Sequence, residues 1–185
     1  MNSKAIQLPL SRSEAALLRA GDVCSLTGPI YTLRDAGHMR LLEELEKRAC
    51  LPYGLEGQTI FYAGPSPARA GRPFGAIGPT TASRMDFAAP KLYQAGIVAT
   101  IGKGKRSEDV RRACIENSSL YFVTTGGAAA FLAKCIESSS TLAYHELGTE
   151  ALRKIEVSHF PVFVGIDSLG NDIYTRDSGF DRAFL

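Results

Sequence analysis

The stretch 78–86 (Gly-Pro-Thr-Thr-Ala-Ser-Arg-Met-Asp) holds the residues best suited to chemistry in this chain of 185 residues. Gly-Pro interrupts a preceding element, and the two threonines offer an N-cap for a helix expected from Ala82 to about Tyr93. A cation such as Arg84 in a first helical turn opposes the helix dipole, at a cost of roughly 0.3–1 kcal/mol unless an anion is present. Free N–H groups, a threonine hydroxyl and a guanidinium fork together predict a socket for a carboxylate or a phosphate. The alternative is a capped helix whose Arg84 turns away into solvent.

Two further cations occupy comparable positions. Arg34 lies at the start of a helix predicted to begin near Thr32 and reach Cys50, and Lys103 lies in Gly-Lys-Gly after a buried strand. The apolar stripe of the first helix extends back in steps of three or four residues to His38 and Arg34, which places Arg34 at the rim of a cleft. Cations gathered at helix starts repel one another without an anion, so the pattern favours an anionic ligand.

The elements that position these residues follow a repeated order of strand, glycine-rich turn and helix. This alternation predicts an α/β layer fold, in which ligands bind beyond the carboxyl ends of the strands. Strands are expected at 4–10 (an edge strand), 22–27, 59–63, 97–101, 120–124 and 162–166, with turns at 28–29, 78–79, 102–104 and 126–127. Further helices are expected at 13–18, from 105 or 107 onward, at 128–136 and near 148–153, with a polar turn at 138–140 and a loop at 66–77.

Length and composition restrict the class of protein. The chain is long enough for one well-packed domain (1–185), with a loosely anchored tail expected from about residue 178. A net charge of +2 is too small to predict binding to nucleic acid or to an anionic membrane. The N-terminal residues lack the apolar core of a signal peptide and no apolar run approaches a membrane span, so we expect a cytoplasmic protein.

Other motifs for catalysis or cofactor binding are weak. The four cysteines (Cys24, Cys50, Cys114 and Cys135) are widely and irregularly spaced, which argues against zinc or a self-contained iron–sulfur site. The spacing of a phosphate-binding P-loop, a third glycine after 126–127 for a dinucleotide fingerprint, and a Gly-x-Ser-x-Gly elbow are all missing. A phosphate-ligand domain that uses the same helix starts is therefore the weaker reading.

Taken together, these segments resemble the β-type subunit, or C-terminal domain, of the iron–sulfur hydro-lyases, the class I fumarase and L-tartrate dehydratase family. The string Gly-Pro-Thr-Thr-x-x-Arg-Met-Asp is the specific part of this resemblance, which covers nearly the whole chain in unbroken order. The other matching segments are 21–23, 27–28, 32–38, 61–65, 101–104, 124–129, 146–151, 160–161 and Asp167.

The resemblance implies a swivelling β/β/α-type domain, with helix N-termini converging on an anion site that forms half of an active site. The other half would belong to a cluster-bearing α-type subunit, which holds a 4Fe–4S cluster on three cysteines. The reaction would be reversible trans-elimination of water from a small 2-hydroxydicarboxylate: malate to fumarate, or L-tartrate to oxaloacetate. The heterodimer is expected to form a larger homo-oligomer.

The resemblance also implies roles for individual residues. Arg34, Arg84 and Lys103 would bind substrate carboxylates, since a dianion needs fixed cations. Thr80 would be the base that removes the C3 proton. Thr81 is the competing assignment, with one threonine capping the helix and the other facing the substrate.

Asp35 and His38 would orient Arg34. Leu33, where alanine is more usual, and the variant residues 37–39 depart from the family pattern without removing a charged group. A non-enzymatic dicarboxylate-binding or regulatory module is the alternative from another functional class. Thr80 favours the enzyme, because binding alone needs arginines but no base.

Overall fold

A computed structural model of the chain describes residues 3–67, 71 and 73–175, so the tail expected from residue 178 lies outside the described residues. Strands described in these ranges form one sheet in the order β1-β2-β3-β4-β5-β7-β6. Their bounds are β1 Lys4–Gln7, β2 Val23–Thr32, β3 Thr59–Phe61, β4 Ala99–Gly102, β5 Leu120–Val123, β6 Ile136–Ala143 and β7 Leu152–Ile166.

The fifteen-residue strand β7 closes the sheet on itself. Strands β1 to β5 pair in parallel with their neighbours, whereas β7 runs antiparallel to β5, β6 and β2. Because β7 pairs with both β5 and β2, the strands β2, β3, β4, β5 and β7 form a ring of hydrogen-bonded neighbours. A closed ring leaves none of these five strands with a free edge.

Five α-helices within the same described ranges accompany the sheet: α1 Arg12–Ala15, α2 Asp35–Arg48, α3 Ala89–Ala95, α4 Glu108–Glu116 and α5 Ala129–Leu132. Alternate strand residues divide the core into two clusters, as expected when successive side chains point to opposite faces. Phe61, Ile101 and Phe122 belong to one cluster, while Ile60 and Tyr121 pack in the other with residues of α2, α3 and α4. The α/β fold predicted from the sequence is confirmed.

Several predicted boundaries are wrong because tertiary pairing overrides local signals. The predicted turn at 28–29 is an irregularity within β2, where the register with β7 shifts between Leu26 and Gly28. Gly28 adopts φ +121°, and a Cβ there would lie 2.7 Å from the carbonyl oxygen of Leu8. The serine-rich turn at 138–140 is instead part of edge strand β6, paired with β7. Strand propensity is a weak guide where a long partner strand is available.

Two of the predicted helices are present, and two others are shorter or of the 3-10 type. The helix starting near Thr32 is present as α2, and α4 begins after Ser107, whose side chain accepts the N–H of Val110. The predicted helix 128–136 shortens to α5 followed by a 3-10 helix, Ala133–Cys135, and the one near 148–153 is a 3-10 helix at His145–Glu150. Among the residues described, no helix is both long and apolar enough to cross a membrane.

Candidate functional site

The two threonines lie on an extended segment, residues 79–81, that is held between the ends of β3 and β4. We call it the threonine segment. The N–H of Thr80 donates to the carbonyl of Tyr62 (2.7 Å), and the carbonyl of Thr80 accepts the N–H of Lys103 (3.3 Å). The N–H of Ala82 donates to the carbonyl of Lys103 (2.9 Å). These bonds place both threonines beside Lys103, at the carboxyl end of β4.

The helix predicted from Ala82 to Tyr93 is not continuous: it is divided into a 3-10 turn and a later α-helix. The expectation that a threonine caps it is wrong. Residues Ala82–Met85 form a single 3-10 turn, and the side chain of Thr81 makes no capping hydrogen bond. A new helix, α3, begins at Ala89 with Pro90 in its first turn, where the missing N–H costs nothing. Within the described residues, neither threonine hydroxyl has a hydrogen-bond partner, and Thr80 is half-buried while Thr81 is exposed.

Arg34 occupies the position before α2, at the end of the chain segment that follows β2. Its side chain lies over Gly64, where a Cβ would be only 2.9 Å from Arg34 Cδ. Its Nη2 atom is 3.6 Å from Glu150 Oε1 and 3.8 Å from Asp35 Oδ2. A side chain at position 64 would therefore force the Arg34 side chain to shift from this location. The structure places Arg34 at the rim of the site, with one quarter of its side chain exposed.

Arg84 meets the same carboxylate from the other side. Its Nε donates to Asp35 Oδ1 at 2.9 Å, and half of the Arg84 side chain is exposed. Asp35, predicted to orient Arg34, thus bridges both arginines. Asp35 and Glu150 thus supply carboxylates to the two arginines from within the chain. The anionic ligand expected from the sequence stays a prediction. Such partly exposed ion pairs are weak and can be exchanged for a ligand.

Glu150 is a site residue that the sequence reasoning did not select. Its Oε2 accepts the N–H of Ala36 at 2.8 Å, so a carboxylate from a distant segment lies at the N-terminus of α2. This position is favourable because the exposed N–H groups there carry positive partial charge. The 3-10 helix that ends at Glu150 is held against α2 by the Tyr144 hydroxyl, which donates to Glu44 (2.9 Å). No local sequence signal could reveal this, since Ala36 and Glu150 are 114 positions apart.

His38 is fully buried beneath Arg34. Its Nδ1 donates to the carbonyl of Arg34 (2.8 Å), and its ring meets the edge of Tyr62 at 5.2 Å between centroids. Burial lowers the pKa of His38 to about 4, with the charge of Arg106 acting in the same direction. The imidazole is therefore neutral near pH 7. That His38 orients Arg34 stays a prediction.

Lys103 is exposed and forms no ion pair with any other residue that the structure describes. Its side chain runs toward the turn after β5, where a Cβ on Gly126 would lie 3.7 Å from Lys103 Nζ. Lys103 is thus the cation of the site that has no internal carboxylate. A ligand carboxylate placed here would not have to displace one.

The predicted site residues form two groups beyond the carboxyl ends of the parallel strands. Thr80, Thr81 and Lys103 are joined by main-chain pairing, while Arg34 and Arg84 are joined through Asp35. The short segment 61–64 connects the groups, because Tyr62 accepts from Thr80 and Gly64 supports Arg34. The arrangement offers cations and free hydroxyls to a small anion with more than one carboxylate.

Metal-ligating side chains in the described ranges do not fit an iron–sulfur cluster. Among the described residues, no three His, Cys, Asp or Glu side chains come together in a way that could hold a metal ion. Cys24 and Cys114 are buried, Cys50 is exposed and Cys135 is partly exposed, and all four thiols are free. A 4Fe–4S cluster needs several thiolates at one place, and the described part of the chain does not bring its thiols together in this way.

Comparison with known proteins adds independent information. Residues 2–177 match the family described as Fumarase C-terminus. The chain is 42% identical over 154 residues to the anaerobic class I fumarate hydratase of Escherichia coli K12, covering 82% of this chain and 28% of that protein. It is 33% identical over 179 residues to the L(+)-tartrate dehydratase subunit beta of the same strain, covering 94% and 88%.

A third similar protein is named putative L(+)-tartrate dehydratase subunit beta, from Methanocaldococcus jannaschii, and is 33% identical over 171 residues. That alignment covers 89% of this chain and 88% of the archaeal protein. The chain therefore spans little more than a quarter of the length of the fumarate hydratase. It matches most of the length of the two beta subunits.

Proposed function

This chain belongs to the Fumarase C-terminus family, and on that premise we propose that it is the β subunit of a two-subunit hydro-lyase. The proposed reaction is reversible elimination of water from a 2-hydroxydicarboxylate, with malate to fumarate or L-tartrate to oxaloacetate as the candidates. Similarity over 88% of two proteins named as beta subunits supports a separate partner chain. The partner would complete the active site at the carboxyl edge of the strands.

One observation carries this proposal: Thr80, Thr81 and Lys103 are held together beside Arg34 and Arg84. We assign the three cations to the substrate carboxylates. Lys103 is free of any internal carboxylate in the described structure, and the two arginines would exchange contacts with Asp35 and Glu150 for contacts with substrate. Cations in such positions can hold a dianion in one orientation. Holding the reactant in the correct orientation lowers the activation free energy by a large amount.

We assign the removal of the C3 proton to Thr80 Oγ1. A neutral threonine hydroxyl cannot take up this proton, so Thr80 would have to lose its own proton to solvent beforehand and act as the alkoxide, which becomes the hydroxyl as the C3 proton is removed. Nearby positive charge would favour this alkoxide by lowering the pKa of the hydroxyl. Lys103, paired with the same main-chain segment, and Arg84, on the next turn, are the available cations. Thr81 Oγ1 is the competing atom, since it is also free of hydrogen bonds to described residues.

The 4Fe–4S cluster implied by the family resemblance is proposed to belong to the partner subunit. When bound, such a cluster supplies a Lewis acid for the hydroxyl group that leaves. In this proposal, the present chain binds and orients the carboxylates and receives the proton.

Anaerobic co-expression with a candidate cluster-bearing subunit tests the function. Hydration of fumarate and dehydration of malate and L-tartrate are measured for the complex and for each chain alone. We expect turnover only with both chains. Tight binding of these diacids without turnover, in a complex whose cluster is intact, would instead support a dicarboxylate-binding module.

Paired variants test the residue roles. Thr80→Val and Thr81→Val each remove one hydroxyl while preserving shape, and only the variant that lacks the base should abolish turnover.

Lys103→Ala is expected to raise KM by about tenfold or more, since a charged contact contributes roughly 1.5–3 kcal/mol. The matched control is Lys105→Ala, an exchange of an exposed lysine two residues along the chain. An equal rise in KM for Lys103→Ala and Lys105→Ala would refute the assignment of Lys103 to a substrate carboxylate.

A further inference from the structure

A buried cation, Arg106, lies against Tyr62, the residue whose carbonyl accepts the N–H of Thr80. Its side chain is 0% exposed, and its Nε donates to Asp86 Oδ1 at 2.6 Å. The guanidinium also stacks on two aromatic rings, 4.8 Å from the centroid of Tyr121 and 5.3 Å from that of Tyr62. Its Nη1 also donates to Thr100 Oγ1, 3.3 Å away. An arginine this enclosed is unusual, because burial of charge is costly unless every partner is in place.

Arg106 holds one end of the site through Asp86. Asp86 directly follows the 3-10 turn that carries Arg84, and its second oxygen accepts the N–H of Ser107 at 2.7 Å. Ser107 is the N-cap of α4. The carboxylate therefore ties the end of this turn to both the buried guanidinium and the start of a helix.

Arg106 holds the other end through Tyr62. Its Nη2 lies 3.4 Å from the Tyr62 hydroxyl, while the carbonyl of Tyr62 accepts the N–H of Thr80. The Tyr62 ring packs against Gly102, where a Cβ would be 3.0 Å from Tyr62 Cδ2 and 2.8 Å from Ala82 Cβ. One side chain thus contacts the residues that anchor both ends of segment 79–86.

A contribution to folding stability is a poor explanation for the buried ion pair between Arg106 and Asp86. Replacement of a buried ion pair by apolar groups is often neutral or stabilising, so a costly buried arginine is better explained by the geometry that it imposes. Here the imposed geometry is that of the residues proposed to contact substrate. Displacement of catalytic groups by about 1 Å can cost about 10²-fold in rate.

We propose that Arg106 is a positioning residue that, through Asp86 and Tyr62, fixes the segment bearing Thr80, Thr81 and Arg84. The effect of Arg106 on turnover rests on the proposed hydro-lyase function. Its effect on the position of the segment does not depend on that function. Two readouts separate these parts: hydrogen exchange of the isolated chain, and kinetics of the co-expressed complex.

The principal variant combines Arg106→Met with Asp86→Asn, so that no single buried charge is left unpaired. In hydrogen exchange, we expect the amides of Thr80, Ala82 and Lys103 to exchange about tenfold faster or more, because their local opening becomes easier. The amides shared by β2 and β7 should keep their wild-type protection. Unchanged protection of the three amides in the folded variant would overturn the proposal.

In the complex, kcat per folded molecule should fall by about 10²-fold, with a smaller change in KM. A merely structural role would lower the folded fraction and leave both constants of the folded molecules unchanged. Arg106→Lys is the second variant, which covers the case in which the double variant does not fold. It retains the charge opposite Asp86 but not the planar fork, so exchange of the same amides should again rise.

Arg112→Met is the matched control. Arg112 lies on the exposed face of α4, where it pairs with Asp109, and its removal should leave both readouts at wild-type values. If no diacid is turned over by the wild-type complex, the hydrogen-exchange result still decides the positioning role. Faster exchange in Arg112→Met equal to that in Arg106→Lys would contradict it.

Discussion

Acidification below pH 6.5 should destabilise this fold through one buried histidine, His38. The imidazole is fully enclosed, its Nδ1 donates to the Arg34 carbonyl, and its Nε2 is buried with no hydrogen-bond partner among the described residues. Protonation would place a second N–H where no acceptor is available. Desolvation and then the charge of Arg106 lower the pKa to about 4, against opposing effects of the Arg34 carbonyl and Asp35.

The sign and size of this pH effect on the free energy of unfolding follow from the linkage between proton binding and folding. Between pH 6.5 and pH 4, the unfolded chain binds a proton on His38 and the folded chain does not, so stability falls as pH falls. The pKa displacement from 6.5 to about 4 corresponds to roughly 3 kcal/mol in full. About 2 kcal/mol of this should already be lost between pH 8 and pH 5. Carboxyl groups with lowered pKa, such as Glu14 and Asp22, contribute only nearer to or below their ordinary values of 4.5 and 3.8.

Urea denaturation at several pH values between 5 and 8, at constant ionic strength, measures this loss for the wild type and for His38→Gln. The variant should lack most of the wild-type slope, even if its stability at pH 8 is lower. His145→Gln, an exchange of an exposed histidine, is the matched control and should retain the slope. A titration of the His38 ring by NMR gives a direct check, since the ring should stay neutral down to pH 5. Equal slopes for the wild type and His38→Gln, or protonation of the His38 ring near pH 6.5, would contradict this effect of His38.

Three further results are expected. Gly102→Ala should cost about 1–3 kcal/mol in the free energy of unfolding, because the added methyl would lie 2.8 Å from Ala82 Cβ; thermal unfolding measures this. Glu150→Ala should cost about 1 kcal/mol, because the N-terminus of α2 loses its carboxylate; urea denaturation at pH 7.5 measures this. In native protein at pH 8, a disulfide reagent should modify the exposed Cys50 first, whereas burial raises the pKa of Cys114 to about 12 and protects it; the rate of thiol modification measures this.

Each of these has a control. Gly126→Ala adds the same methyl where the nearest atoms belong to the flexible Lys103 side chain, 3.7 Å away, so it should be tolerated. Glu146→Ala removes a carboxylate that pairs with exposed Arg40 and should change stability little. Full denaturation should make all four thiols reactive. Equal effects of the test and control substitutions, or fast modification of Cys114 in the native state, would contradict the packing described above.

Local signals in the sequence predicted those elements whose determinants lie within a few residues of one another. The helix of residues 35–48 follows from an apolar stripe of period 3.6, and the helix after Ser107 follows from a cap with acidic residues in its first turn. Buried apolar runs between glycine-rich turns predicted three of the parallel strands. The position of Arg34 at a helix start and of Lys103 after a strand came from the same patterns.

The local signals around the threonines led to a wrong prediction. Gly-Pro followed by two threonines is typical of a capped helix, but the chain there is extended because main-chain groups of Tyr62 and Lys103 satisfy it. Residues far from this segment in sequence supply these partners. A cap and a tertiary hydrogen bond compete for the same backbone groups, and only the folded chain decides which forms.

The amino-acid sequence by itself determined an α/β fold and the set of cations and hydroxyls that it carries to one edge of the sheet. Tertiary structure alone decided that Asp35 links Arg34 to Arg84, that Glu150 reaches the start of a helix 114 positions away, and that Arg106 is buried. Arg106 lies in a basic run with Lys103 and Lys105, a pattern typical of a solvated loop. The physical reason is range: propensity, periodicity and capping act over about four residues, whereas burial and ion pairing depend on which distant segments the closed sheet brings together.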